Sequence, residues 1–563
     1  MTAVPTGADP GPSVAELLVA RSEDDHPALR FEDEQWSWRE VVSASATRAS
    51  WIRSAAGPDP FHVGVLLGNV PEYIFWLGAA ALAGAVVVGI NPTRRGQALA
   101  GDIGRTDCAV VVTDAEGARL LDGLELPVPP ERVIRVDGAG YTDLLAPHAG
   151  ADCRSLVAAC APARDDLYLL LFTSGTTGAP KAVRCTQGRL ASIAVRSAEA
   201  YGFGRDDVAY CTMPLFHGNA LMVLWGPSLV VGATVALARR FTASGFVADV
   251  RRYGATTFTY VGKALAYVLA TPPSPADASI TLRRGFGTEA SVADHTAFER
   301  RFGCVLTEGY GSSEGGVAIS RTPDTPVGSL GRPVGDIVIV DPETQEECPP
   351  ARFDATGRLV NGASSIGEIV NRDGVGGFEG YYADEEATSS RTRNGWYWTG
   401  DLAFRDEDGF FYFAGRRGDW MRVDSENLTA GPIERVLVRH ESIATVAVYS
   451  VPDPRSGDQV MAAFEMLPGR EFDPEGFANF LDSQPDLGTK WSPSYVRITT
   501  GLPQTASGKV TKDPLRSAGW WEGADPIYRR QGAASAYVLM GEDDRRSLRA
   551  EYLRHGRGGL VGG

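Results

Sequence analysis

The sequence predicts an α/β protein: a large N-terminal α/β domain with a β-rich subdomain, then a small α+β domain at the C-terminus. Three observations carry this. Short β-branched runs alternate with helix-like segments through most of the first 340 residues, the pattern of largely parallel sheets crossed by helices. From about 335 to 415 the texture changes to short runs bounded by Gly and Asp turns. After Arg416 it changes again, to a compact mixture of both kinds of segment. At 563 residues the chain is too long for one hydrophobic core, so two or more domains are expected.

In the first region the strand-like runs are "HVGVLLG", "AVVVTD", "ERVIRVD", "LYLLLFTSG", "TVALARR" and "TTFTYVG". The uncharged stretch from Tyr73 to Ile90 is long enough to suggest a membrane span. Its first half is small and helix-like, however, and its second is the β-branched "VVVGI", followed by Asn-Pro. It is read as a buried helix feeding a buried strand. The second region contributes "GDIVIVDPET", "IGEIVNRDG" and "GFFYFAG". The third reads as an α+β unit through "AGPIERVLVRH", "IATVAVYSV", "VMAAFEML" and "DPEGFANFLDSQ". No internal repeat is evident, and the terminal "GRGGLVGG" is expected to be unstructured.

Composition excludes several classes. With 44% hydrophobic and 22% charged residues, the chain reads as a soluble globular protein. A formal net charge of −16 argues against a general nucleic-acid binder and against a polybasic membrane anchor. The seven cysteines are scattered, without metal or disulfide-framework spacing. No signal peptide is read, so a reducing cytoplasm is the expected setting. Lysine occurs only at 181, 263, 490, 509 and 512 in an arginine-rich chain, a hint that some of these positions need a compact point charge.

"LLLFTSGTTGAPKAV", Leu169 to Val183, carries the strongest local chemistry. It is not a Walker loop, because position 180 is Pro and Lys181 is followed by Ala182. Gly175 and Gly178 still free the backbone to bend and expose N–H groups. Thr173, Ser174, Thr176 and Thr177 add hydroxyl donors, and Lys181 adds charge. A solvated strand-to-helix turn is the competing reading; the density of donors ending in Pro-Lys favours phosphate. "GSSEG", Gly311 to Gly315, matches the G-x-S-x-G nucleophile elbow with Ser313 as nucleophile. That rival hydrolase reading needs a helix directly afterwards, and "GVAISRTPDTPVG" is a poor one.

Taken together and in order, "TSGTTGAPK", "EGYGSSEG", "WYWTGDL", "GRRGDWMRVDSEN" and "PQTASGKV" resemble the adenylate-forming superfamily of acyl-CoA synthetases, luciferases and peptide-synthetase adenylation domains. "MPLFHGNALMVLWGPSLVVGATVALARRFTASGF" and the tail "DPIYRRQGAASAYVLMGEDD" are similar to its fatty-acid transport protein and very-long-chain acyl-CoA synthetase group. The likeness covers nearly the whole chain. The N-terminal membrane segment of animal members is absent, so a transporter role finds no support; peripheral membrane association stays open, and no oligomeric state is read.

The resemblance implies an ATP- and Mg²⁺-dependent ligase. A lipid-like carboxylate, from a long-chain fatty acid or a sterol-derived acid, attacks the ATP α-phosphate to give acyl-AMP, and coenzyme A then displaces AMP. The implied organisation is an adenylation domain over 1–415, a hinge at 416–419 centred on Gly418, and a mobile domain over 420–563. The implied phosphate contacts are Thr173, Ser174, Gly175, Thr176, Thr177, Gly178 and Lys181. Glu314 is the implied Mg²⁺ ligand, with Thr173 nearby. Tyr310 would stack on adenine, beside Glu308 and Gly309, with Gly311, Ser312 and Ser313 completing that loop. Asp401 would hold the ribose with help from Arg416, and Lys509 would bridge the carboxylate and the α-phosphate. His217, Gly287 and Thr288 fall where the family lines its acyl pocket. One departure bears on the second step: Ser425 replaces the usual glycine of the following G-E-N. If that step fails, the alternative is an acyl-AMP ligase that loads a carrier protein.

Overall fold

The alternating runs of the first region build two sheets. In the first, the strands Val305–Glu308, Arg284–Thr288, Thr257–Val261, Val208–Cys211, Thr234–Leu237 and Pro27–Phe31 lie side by side and parallel. Glu34–Ser37 closes the edge as an antiparallel hairpin partner. In the second, Val133–Arg135, Cys108–Thr113, His62–Leu66, Val86–Gly89 and Leu167–Thr173 are parallel, and Lys181–Thr186 is added antiparallel at the edge. All six runs read as strands in this region are strands. The computed structural model describes residues 11–561 apart from 58–59, 174–179, 289, 291, 356–358, 417–419, 424–425, 456, 486, 488–489, 506–508 and 532–535.

Tyr73–Ile90 folds as the sequence suggests. The helix Pro71–Ala83 starts on a proline, whose missing N–H costs nothing at a helix start, and stops at Gly84 in the left-handed region at φ 68°. It is buried on every side from Tyr73 to Ala83 and leads into the buried strand Val86–Gly89. No helix among the described residues is long and apolar enough to cross a membrane.

The chain divides into two compact units, Met1–Gly315 with Gly377–Ser389, and Gly316–Gly376 with Ser390–Gly563. The second holds the β-rich segment, an antiparallel sheet in which Ile337–Val340, Gly367–Asn371 and Trp396–Arg405 are consecutive neighbours. Both Thr392–Arg393 and Phe411–Arg416 pair with Trp396–Arg405. The same unit contains the five-stranded sheet Ile443–Pro452, Asp458–Met466, Tyr495–Thr499, Ile527–Gln531 and Ala536–Leu539. The β-rich segment therefore groups with the C-terminal sheet. The helix Ala430–Leu437 joins them: Arg435 donates to the Phe413 carbonyl at 2.9 Å.

The terminal segment departs from expectation. Gly558–Leu560 forms a 3₁₀ turn, and Val561 is buried in a cluster with Trp520, Leu548 and Tyr552. The buried Val561 side chain anchors the described part of this segment, while Leu560 stays exposed.

Candidate active site

Thr173 ends the strand Leu167–Thr173, and Lys181 begins the returning strand directly opposite it. Ser174, Gly175, Thr176, Thr177 and Gly178 lie outside the described residues. The connection is thus a hairpin, which corrects the competing strand-to-helix reading. The helix comes one strand later, at Gln187–Ala200, where the Thr186 side chain accepts from the Arg189 N–H.

The second cluster hangs from the carboxyl ends of the parallel strands, where open α/β sheets place their ligands. Gly287 and Thr288 end one strand and Glu308 ends its neighbour. The Gly309 N–H donates to the Gly287 carbonyl at 2.9 Å, so the two loops stay joined one residue past the sheet. The Glu308 carboxylate turns inward and accepts from the Tyr260 hydroxyl at 2.8 Å. Burial, reinforced by that carboxylate, pushes the Tyr260 pKa well up.

From Gly309 through Tyr310, Gly311, Ser312 and Ser313 the backbone is irregular, and the next element is the short strand Ile319–Ser320. No helix follows the strand, so the hydrolase elbow around Ser313 is not formed. Thr and Pro in the following stretch leave no helical run to support one. The Ser313 carbonyl instead accepts from Arg189 Nη2 at 2.5 Å. Ser313 Oγ lies only 3.3 Å from where a Cβ on Gly218 would sit, so the His217 segment packs against this motif. His217 is half-buried and precedes the short helix Gly218–Ala220, its ring centroid 4.4 Å from that of Phe216.

Glu314 is 7% exposed, and its Oε1 accepts from the Tyr381 hydroxyl at 3.0 Å. Lys181 Nζ stands 5.3 Å from the centroid of the same tyrosine ring, within cation–π range. One aromatic side chain thus touches two of the expected nucleotide-site residues.

The remaining residues belong to the second unit. Asp401 and Arg416 sit opposite each other on neighbouring strands, with Nε to Oδ1 at 3.7 Å. Lys509 lies on the returning arm of a hairpin-like loop. There Gln504 bridges Val510, the Thr505 N–H donates to the Lys509 carbonyl at 2.7 Å, and the Thr511 N–H donates to the Pro503 carbonyl at 2.9 Å. Three residues on, Lys512 pairs with Glu434 at 2.9 Å, anchoring the loop to the helix Ala430–Leu437. Gly418 and Ser425 lie outside the described residues.

Residues 18–382 match the AMP-binding enzyme family, and residues 432–509 match the AMP-binding enzyme C-terminal domain. The chain belongs to the AMP-binding enzyme family. A steroid-22-oyl-CoA synthetase of Rhodococcus jostii is 52% identical over 553 residues, covering 97% of this chain and 98% of that protein. A medium/long-chain-fatty-acid–CoA ligase, FadD17, of Mycobacterium tuberculosis is 50% identical over 518 residues, covering 92% and 98%. The fold is similar to that of the anthranilate CoA ligase AuaEII in complex with anthranoyl-AMP, with a TM-score of 0.77 at 21% identity, over 91% of this chain and 98% of that one.

The adenylate-forming resemblance and the α/β class are borne out. This AMP-binding enzyme is an acyl-CoA synthetase that uses ATP, Mg²⁺ and coenzyme A. The two residues expected to hold the cation, the Glu314 carboxylate and the Thr173 hydroxyl, are hard oxygen donors of the kind Mg²⁺ would need.

Three residues of the enzyme escaped the sequence reading. Arg189, buried, donates to the Arg184 carbonyl at 2.7 Å as well as to Ser313. Glu379 accepts from the Thr186 N–H and hydroxyl, both at 2.7 Å. Tyr381 completes the set. Glu379 and Tyr381 lie in "FEGYYAD", inside the segment Gly377–Ser389 that belongs to the first unit after 61 residues in the second. The signal available was a polar and aromatic cluster far along the chain from both motifs it contacts.

Proposed function

We propose that the acid activated by this acyl-CoA synthetase is a sterol-derived side-chain carboxylate, handled in the cytoplasm. The 52% identity to a steroid-22-oyl-CoA synthetase across 97% of the chain carries this reading. The reaction runs in two steps. The carboxylate attacks the ATP α-phosphate and pyrophosphate leaves; coenzyme A thiolate then attacks the acyl carbon and AMP leaves.

We assign the loop 173–181 and Lys181 to the pyrophosphate portion, and Glu314 with Thr173 to the cation. Bound Mg²⁺ neutralises the departing pyrophosphate and polarises the phosphate oxygens. Tyr310 stacks on adenine, with Glu308, Gly309, Gly311, Ser312 and Ser313 around it, and Asp401 and Arg416 hold the ribose. His217, Gly287 and Thr288 line the acyl side. Lys509 orients the carboxylate and stabilises the pentavalent phosphorus in the first step only. Glu314 and Lys509 belong to different compact units, as a domain movement between the two steps requires; the hinge at 416–419 and the mobile domain over 420–563 are placed from the sequence motif.

The test is substrate-dependent pyrophosphate release over sterol-derived acids, medium- and long-chain fatty acids and acetate, with and without coenzyme A. Sterol-derived acids should give the highest kcat/KM. Acetate should trail by well over tenfold, since each buried methylene contributes about 0.8 kcal/mol. Fatty acids ahead of sterol acids would favour the second reading, which the 50% identity to a medium/long-chain-fatty-acid–CoA ligase supports. Acetate matching the best lipid acid would sink both. Acyl-AMP that accumulates without thioester in the presence of coenzyme A would point to a carrier-protein acceptor.

A further inference from the structure

Tyr381 lies on a segment tied to the nucleotide-site strand at every step. The Arg184 N–H donates to the Gly380 carbonyl at 3.1 Å, and the Tyr382 N–H to the Ala182 carbonyl at 2.8 Å. Val183 and Tyr381 form an antiparallel bridge between them. At one end Glu379 holds Thr186, and the Gly377 N–H donates to the carbonyl of Gly315, next to Glu314. The Tyr381 N–H itself donates to Thr388 Oγ1 at 2.9 Å. The tyrosine is therefore fixed in backbone and, at 5% exposure, in side chain.

Its two chemical ends face different partners. The hydroxyl donates to Glu314 Oε1, and the ring face carries the Lys181 ammonium. A carboxylate offers about four lone-pair sites. The phenol occupies one, which fixes the carboxylate rotamer and leaves the others for a hard cation. The ring gives the ammonium a seat that does not neutralise it, as a carboxylate partner would.

We propose that Tyr381 is a positioning residue that couples the cation ligand Glu314 to the phosphate contact Lys181, so that metal and nucleotide phosphate are bound as one unit. This rests on the assignment of Glu314 and Lys181 made above. No bond is made or broken at the tyrosine.

The experiment measures Mn²⁺ binding by electron paramagnetic resonance in the presence of a non-hydrolysable ATP analogue, in the full-length chain. Tyr381→Phe keeps the ring and deletes the donor. It should weaken Mn²⁺ binding by about tenfold or more, the range expected for a lost hydrogen bond to a charged group. It should leave metal-free binding of the analogue unchanged, while the melting temperature falls modestly because the buried Glu314 carboxylate loses a donor. Tyr381→Leu deletes both ends and should weaken metal-free analogue binding as well. Thioester formation from ready-made acyl-AMP should be retained in Tyr381→Phe. Mn²⁺ bound by Tyr381→Phe as tightly as by the wild type, while Glu314→Gln binds it weakly, overturns the coupling and leaves the Glu314 assignment standing. Unchanged Mn²⁺ binding in Glu314→Gln overturns that assignment and the coupling together.

Discussion

Gly287→Ala tests how the carboxyl ends of the parallel strands hold the nucleotide-site loops. A Cβ built on Gly287 would lie closer than 3.0 Å to two ring carbons of Tyr260 and 2.6 Å from the Tyr260 carbonyl oxygen. Tyr260 cannot step aside. It is 1% exposed, packs against Phe258, and donates to Glu308. The carbonyl belongs to the neighbouring parallel strand, where Tyr260 sits opposite Gly287. The methyl group must therefore push the strands Thr257–Val261 and Arg284–Thr288 apart. Overpacking of this kind costs about 1–3 kcal/mol. The displacement also travels: the Gly287 carbonyl holds the Gly309 N–H, so the loop carrying Tyr310 moves with it. A shift of roughly 1 Å in a positioned group can cost about 10²-fold in rate. The assay is a thermal melt together with kcat/KM for pyrophosphate release. Gly140→Ala is the control, with nothing within 4 Å of the added atom and an ordinary φ of −86°. A Gly287→Ala protein that melts and adenylates like Gly140→Ala would refute the reasoning.

Lys509→Ala should lower acyl-AMP formation by about 10²–10³, the usual cost of removing a preorganised charge contact, and largely spare thioester formation from supplied acyl-AMP. Gly418→Pro should show the opposite bias, because proline fixes φ at the expected hinge; single-turnover assays of each half-reaction read both variants, and equal loss of both steps in folded Lys509→Ala removes the swing. Arg189→Met leaves the carbonyls of Arg184 and Ser313 without their buried donor, at about 1–3 kcal/mol each, and should lower the first unit's melting transition. His440 sits against the rings of Phe477 and Phe480, and burial pushes its pKa below the usual histidine value. The unfolded chain then binds the proton first, near pH 6.5, so stability should fall as pH drops below about 6.5, and His440→Gln should flatten that part of a melting-temperature profile.

The sequence shows where strands lie far better than which strands touch. "LYLLLFT" and "TTFTYV" are β-branched or apolar throughout and form interior strands paired on both sides, so composition alone identifies them. "KAVRCT" is short, mixed in polarity and at an edge, and a run of that length is equally compatible with helix or strand. That ambiguity hid the hairpin around the phosphate loop. The assignment of Glu314 could be proposed from the sequence because Y-G-x-S-E is contiguous. The contact of Tyr381 could not, because its hydrogen bond joins residues 67 positions apart, and only the fold sets such a distance.

The placement of the few lysines bears on how an acidic chain binds an anionic nucleotide. A net charge of −16 gives no long-range attraction for ATP, and beyond about 8 Å physiological salt screens what field there is. Binding must then come from cations fixed within a few ångströms of the phosphates. Arginine is the chain's default cation, and it serves where a planar fork is needed, as at Arg189 with two carbonyls. Lys181 occupies a different kind of position. It lies over a single aromatic face with no fork to match, and a compact ammonium on a flexible stem can keep that contact while turning its charge toward a phosphate oxygen. A guanidinium at 181 would stack flat on the ring and spread its donors across it, so charge retention alone would not preserve function. Lys181→Arg should therefore weaken nucleotide binding measurably even though the formal charge at the site is unchanged.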